Sequence, residues 1–252
     1  MTMTKPRTLI IIPAFNEEAS LPGVLRSLRE DVPQHDVLVV DDGSTDSTFT
    51  IARSAGIAVA RLPFNLGVGG ALRAGFRYAV ERDYDRALQC DADGQHDADQ
   101  IEKVLEGLDK GLDLVVGSRF ASESTVYQVS PIRGGAMYVL RVILHLLSAQ
   151  RFSDPTSGFR AFSAPLMSYF TSTYPLDYLS DTVEALLLAV YAGFEVGEVP
   201  VSMNYRTEGL PSNRNFKLVF HFLRLLVVIG ATASTRVRRD VRRSKKLETK
   251  WG

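Results

Sequence analysis

The chain is 252 residues long, with 29 basic and 29 acidic side chains, 45% hydrophobic and 23% charged residues. Those are globular values for one large α/β domain, or one domain with an extension. The single cysteine, Cys90, excludes an internal disulfide and fits a reducing compartment, and no zinc-ligand set is visible.

Thr8 to Ile12 is a β-branched apolar run that predicts a strand stopped by Pro13. Ser20 to Glu30 predicts a helix, Asp36 to Val40 a strand, Asp46 to Ala55 a helix and Ile57 to Leu62 a third strand. Leu66 to Arg82 predicts a helix opening at a glycine cluster, Arg86 to Cys90 a strand, Asp97 to Lys110 a helix, and Asp113 to Val116 a strand. Near-continuous apolar strands between amphipathic helices imply an α/β fold with a mostly parallel central sheet flanked by helices. Ligands of such sheets bind beyond the carboxyl ends of the strands. Polar clusters stand at those ends: Pro13-Ala14-Phe15-Asn16-Glu17-Glu18, Asp41-Asp42-Gly43-Ser44 and Asp91-Ala92-Asp93. Together they predict a nucleotide or nucleotide-sugar site, although each loop alone also suits a turn or a helix start.

Asp91 and Asp93 stand one residue apart, followed by Gln95 and His96. On an extended segment both carboxylates face one way and can hold one divalent cation, leaving its other positions to water and substrate phosphates. A second reading is an Asx-rich turn capping the helix that begins near Asp97. The glycines of Asn65-Leu66-Gly67-Val68-Gly69-Gly70 do not follow the first strand and lack dinucleotide or phosphate-loop spacing; they suit close backbone approach instead.

The ordered set Ile11 to Glu18, Val39 to Asp46, Asn65-Leu66-Gly67, Asp91-Ala92-Asp93-Gly94-Gln95-His96 and Gly117-Ser118-Arg119-Phe120 resembles glycosyltransferase family 2. It is most similar to the dolichol-phosphate mannose synthase and polyprenyl-phosphate glycosyltransferase branch, from about residue 8 to about residue 206. The resemblance implies a GT-A fold, an inverting transfer from a nucleotide-diphosphate sugar such as GDP-mannose or a UDP-hexose, and a polyprenyl or dolichyl phosphate acceptor. It implies that Pro13, Ala14, Glu17 and Asp42 line the donor nucleotide, and that Asp91, Asp93 and Gln95 hold Mg2+ or Mn2+. Asp91 then serves both donor and metal. Arg206 would approach the donor phosphates, and Arg119, Arg133 and Ser157 would meet the acceptor phosphate. Guanidinium forks and a cation are what phosphate-rich ligands require. After Arg206 the chain departs from the family pattern, reading Thr207-Glu208-Gly209-Leu210-Pro211-Ser212-Asn213-Arg214, with Arg214 a candidate for the missing charge.

A phosphate acceptor needs no strong base, whereas a hydroxyl acceptor does. Asp181 and Glu184 are the candidates for that base, with helix capping by Ser180 or Asp181 and Glu184 as the other reading. Met137 to Leu147 and Phe216 to Ala231 are apolar runs with basic residues at helical spacing, each shorter than the roughly 20 uninterrupted apolar residues of a span. Arg236 to Lys246 holds seven basic residues against Asp240 alone. An amphipathic C-terminal helix with this tail predicts attachment to a membrane surface or a small membrane protein partner. The division expected is a catalytic domain over 1–212 and an associating segment over 213–252. Met1 to Arg7 lacks the apolar stretch of a secretory signal, so a cytoplasmic protein at the inner membrane face is expected. No aromatic interleaving in the tail supports nucleic-acid binding. The remaining alternatives are transfer to a hydroxyl of a cell-envelope glycan and a non-catalytic nucleotide-sugar-binding module.

Overall fold

The computed structural model describes residues 5–120, 131–176 and 181–202. Seven strands form one sheet: β1 (Thr8–Ala14), β2 (Asp36–Asp41), β3 (Ala58–Arg61), β4 (Arg86–Gln89), β5 (Leu114–Ser118), β6 (Arg160–Ser163) and β7 (Val196–Pro200), in the order β3-β2-β1-β4-β6-β5-β7. The helices are α1 (Leu21–Asp31), α2 (Thr48–Ser54), α3 (Gly67–Glu81), α4 (Ile101–Asp109), α5 (Pro131–Ser148), α6 (Ala164–Thr173) and α7 (Asp181–Ala192).

The all-apolar centre of β1 is explained by burial on both faces. Leu9 and Ile11 join Leu72, Phe76, Phe170 and Tyr174 in one core layer, while Ile10 and Ile12 join Leu21, Leu25, Val104 and Leu105 in the other. Alternation along a strand sends successive side chains to opposite layers, so neither helical layer could be lost without exposing isoleucines. Phe76 and Phe162 lock α3 to the sheet, their ring centres 4.8 Å apart.

Pro13 does not stop β1, contrary to expectation: the strand continues to Ala14, with Pro13 in register with Val40. Ile11 accepts from Cys90 N–H on the β4 side, and Ala14 accepts from Asp42 N–H on the β2 side. Alternation therefore turns Pro13 toward β4, whose pairing with β1 has already ended at Gln89. Its missing N–H is not required there.

β6 is antiparallel to both neighbours, and Gln89 lies opposite Arg160. A reversed strand begins at the rim where parallel strands end. The loop before β6 consequently meets the loop after β4.

On α5, Leu140 and Leu144 are buried while Tyr138, Val142 and Leu146 are exposed at four-residue spacing. Among the described residues no helix is long and apolar enough to cross a membrane. The boundary at 212, the segment 213–252, Ser180, Arg206 and Arg214 lie outside the described residues.

Candidate active site

A cavity of about 510 Å³ opens at the carboxyl ends of β1, β2 and β4. Pro13, Ala14, Phe15 and Glu17 come from the end of β1, Asp42 from the end of β2, and Asn65, Gly67 and Val68 from the start of α3. Gln89, Asp91 and Asp93 come from the end of β4, Thr156 and Gly158 from the loop before β6, and Asp181 and Thr182 from the start of α7. The three polar clusters thus converge on one space.

The first loop is stapled to the second. Asn16 adopts φ +56°, its N–H donates to Ser44 Oγ (3.0 Å), and its Oδ1 accepts from Thr45 N–H (2.9 Å). Glu17 N–H donates to Thr48 Oγ1 at 2.8 Å. These bonds hold Phe15 and Glu17 at the cavity wall in a fixed backbone.

Asp42 caps α3. Its two oxygens accept from the N–H groups of Leu66 (2.7 Å) and Gly67 (2.8 Å), satisfying donors that a helix start leaves open. Burial pushes its carboxyl above the usual range, and the two amides oppose that shift. The glycine cluster has the close-approach role expected of it. A Cβ on Gly69 would run into the carbonyl oxygen of Pro175, so glycine lets the Pro175–Leu176 backbone lie against α3.

Asp91 and Asp93 both face the cavity, but through a turn at Ala92–Asp93 rather than through strand alternation. Asp91 Oδ1 accepts from Gln89 Nε2 (3.2 Å), and Asp93 Oδ1 accepts from Gln95 N–H (3.1 Å). The side chain of Gln95 is not among the cavity-lining groups. No cluster of three or more His, Cys, Asp or Glu side chains is gathered for a metal among the described residues.

Asp181 is buried at the cavity wall, and its pKa is pushed up to about 6, chiefly by burial. The Arg160 charge opposes the rise and the Asp91 charge adds to it. Glu184, one turn along α7, does not line the cavity. No role was expected for Arg160, and the sequence around it carries no local motif that would have marked one. Its guanidinium is wholly buried and donates to the carbonyls of Pro155 (2.8 Å), Ser157 (2.7 Å) and Thr182 (2.6 Å). It ties the loop before β6 to the start of α7.

Arg119 and Ser157, expected at the acceptor, are not among the residues that line this cavity. Arg119 makes a bidentate pair with buried Asp154 (2.7 and 2.9 Å), whose own N–H is held by Glu198 (2.9 Å). Ser157 is buried, its hydroxyl accepting from Phe159 N–H at 3.3 Å. Arg133 falls on the first turn of α5, and its side chain is outside the described residues.

Five carboxylates line the cavity, from Glu17, Asp42, Asp91, Asp93 and Asp181, with no lysine, arginine or histidine among the described lining residues. Such a lining suits a divalent cation. Two carboxylates supply part of an oxygen donor set and leave the rest to water and phosphate.

The sheet order, the reversed β6 and the cavity at the strand ends define a GT-A-like glycosyltransferase fold. The model of glycosyl transferase family 2 matches residues 9–168, and the chain belongs to that family. The polyprenol monophosphomannose synthase of Mycolicibacterium smegmatis is 30% identical over 211 residues, 81% of this chain and 80% of its own. The undecaprenyl-phosphate mannosyltransferase of Micrococcus luteus is 37% identical over 163 residues, 63% of this chain and 67% of its own. Among solved structures, glucosyl-3-phosphoglycerate synthase from Mycobacterium tuberculosis, in complex with Mg2+ and uridine diphosphate, superposes with a TM-score of 0.68 at 21% identity. That match covers 91% of this chain and 80% of the other and speaks to the fold.

Proposed function

We propose that this glycosyltransferase moves a hexose from a nucleotide-diphosphate donor, GDP-mannose or a UDP-hexose, to a polyprenyl or dolichyl phosphate, with inversion. The observation that carries the reading is the acidic cavity at the strand ends. A space lined by five carboxylates accepts a diphosphate only with a cation beside it. Asp91 and Asp93 would hold Mg2+ or Mn2+, with Gln95 beside them, and a cation bound there supplies positive charge for the departing diphosphate. Pro13, Ala14, Glu17 and Asp42 surround the nucleotide in this reading, Asp42 also holding the start of α3 at the cavity wall. Arg206 adds charge at the leaving group. The named activities of the relatives support a lipid phosphate as acceptor. Its oxygen attacks the sugar carbon from the face opposite the leaving group, and Arg119 and Arg133 meet its charge, with Ser157 stabilising the loop nearby.

The catalytic unit is 1–212. The segment 213–252, with its basic tail, attaches the protein peripherally to the cytoplasmic membrane face or to a membrane partner. The exposed stripe Tyr138, Val142 and Leu146 supports such attachment.

One observation favours a second reading. Asp181 is a buried carboxyl in the cavity with its pKa pushed up to about 6, suited to deprotonate a hydroxyl acceptor. Purified protein, labelled GDP-mannose, UDP-glucose and UDP-N-acetylglucosamine, polyprenyl phosphate, and Mg2+, Mn2+ or EDTA separate the two. Metal-dependent label in the lipid phase, lost in Asp93→Ala and kept in Asp181→Asn, supports phosphate transfer. Transfer that survives EDTA and Asp93→Ala rejects the metal reading, and loss in Asp181→Asn with hydroxyl acceptors alone active favours the second.

A further inference from the structure

The hexapeptide Asp91 to His96 closes on itself. His96 lies under the loop, its side chain 4% exposed and its ring stacked on Phe159 with centres 4.7 Å apart and planes 25° apart. Its Nδ1 stands 2.9 Å from the backbone N–H of Asp91. A backbone N–H only donates, so Nδ1 accepts, and the proton of the neutral ring sits on Nε2. That Nε2–H edge faces Asp91 Oδ2 at 3.6 Å, while Gln89 Nε2 donates to Asp91 Oδ1 at 3.2 Å. Gly94, at φ +76°, makes the reversal that carries His96 back beneath Asp91. The carboxylate is therefore held on one oxygen by Gln89, and its own peptide plane is fixed by the histidine ring.

We propose that His96 is a positioning residue for Asp91: by accepting the Asp91 N–H at Nδ1 it fixes the peptide from which the Asp91 carboxylate is offered to a divalent cation. This rests on the reading of Asp91 and Asp93 as the cation's ligands. A group that orients a ligand without touching the metal commonly changes metal affinity by about 10- to 100-fold when removed. Neither the stacking on Phe159 nor the burial of the ring requires a nitrogen at the Nδ1 position; the hydrogen bond to Asp91 does.

The test is Mn2+ binding to the purified full chain, followed by the electron paramagnetic resonance of free Mn2+, with and without UDP or GDP. His96→Phe keeps a stacking ring but removes the acceptor. His96→Asn puts an oxygen where Nδ1 stood, and His96→Gln puts its polar end one bond too far. The expected result is an Mn2+ affinity about 10- to 100-fold weaker in His96→Phe and His96→Gln. In His96→Asn it stays within about threefold of the parent, since the acceptor at the Nδ1 position is restored. Thermal melts identify variants that fail to fold, and His96→Gln substitutes for His96→Phe if the latter does. Parental affinity in the folded variant without the acceptor overturns the inference. So does an equal loss in His96→Asn, which would assign the effect to the ring. If the parent itself binds no Mn2+ with either nucleotide, the metal reading fails and takes this inference with it, a result distinct from either of the others.

Discussion

Gly23 and Gly69 are both the third residue of their helices, α1 and α3, yet alanine should have opposite effects at the two. Replacing glycine by alanine in a helix gains up to about 1 kcal/mol from lower backbone entropy in the unfolded chain. At Gly23 nothing lies within 4 Å of the added Cβ, so the full gain of about 0.5–1 kcal/mol is expected. At Gly69 the Cβ overlaps the Pro175 carbonyl oxygen and comes within 3.0 Å of Leu176 Cα. Both are backbone atoms, which cannot swing aside as a side-chain end can. Overpacking costs about 1–3 kcal/mol or more, so sterics outweigh propensity and Gly69→Ala should lose roughly 1–2 kcal/mol net. Urea unfolding followed by circular dichroism measures both, and the expected midpoints move in opposite directions. Equal stabilisation by the two substitutions would refute the assigned role of the glycine cluster.

Asp181→Asn tests the buried carboxyl through pH. The folded pKa of about 6 lies above the unfolded value, so ionisation opposes folding. The parent should lose stability as pH rises from about 4 to 6, then level off, whereas the variant should not; the gap, measured by urea unfolding in EDTA, should reach about 2–3 kcal/mol. A gap that is constant across that range would contradict the assignment. Asp154→Ala leaves the Arg119 guanidinium without its fork. Because Arg119 is 24% exposed, the loss should be about 2–4 kcal/mol, at the lower side of broken buried pairs. A change in melting temperature too small to measure would deny that the Arg119–Asp154 pair contributes to the fold. Asp42→Ala should destabilise by about 1–2 kcal/mol through loss of the α3 cap. An unchanged unfolding midpoint with weaker donor binding would instead assign Asp42 to the nucleotide alone.

Much of the parallel half of the sheet was legible because its strands are apolar on both faces and its polar loops fall at one rim. Pro13 misled, since a proline ends pairing only on the side where a neighbour still needs its N–H, and sequence does not reveal where β4 stops. The second half was largely hidden. Arg160-Ala-Phe-Ser is too short to show a period, and its reversal depends on the course of some forty residues before it. Arg160 has three backbone carbonyl partners, two in the loop that precedes it and one more than twenty residues away, a pattern no local motif expresses. The carboxylates that line the cavity could be picked out from the sequence. That they line it with no basic side chain among the described residues required the structure.

That charge arrangement bears on how an acceptor phosphate is met. Two like unit charges about 5 Å apart repel by roughly 3 kcal/mol at an effective dielectric of 20, so a lipid phosphate gains nothing by entering among the five carboxylates. In the proposed reaction that phosphate would instead be met by basic side chains outside the carboxylate lining. Arg119 is matched one-to-one by Asp154 through both arms of its fork, which leaves the pair close to neutral toward an approaching anion. Arg133, on the first turn of α5, is then expected to contribute more of the attraction. Arg133→Ala should raise the KM for polyprenyl phosphate at least tenfold, about 1.4 kcal/mol, with little change in melting temperature. Arg119→Ala should instead lower the melting temperature, because it strands a buried carboxylate, and should move KM less once stability is restored by low temperature. Steady-state kinetics at several lipid concentrations, paired with thermal melts, separates the two. A larger KM effect at Arg119 than at Arg133 would show that the Asp154 pair opens to receive the acceptor.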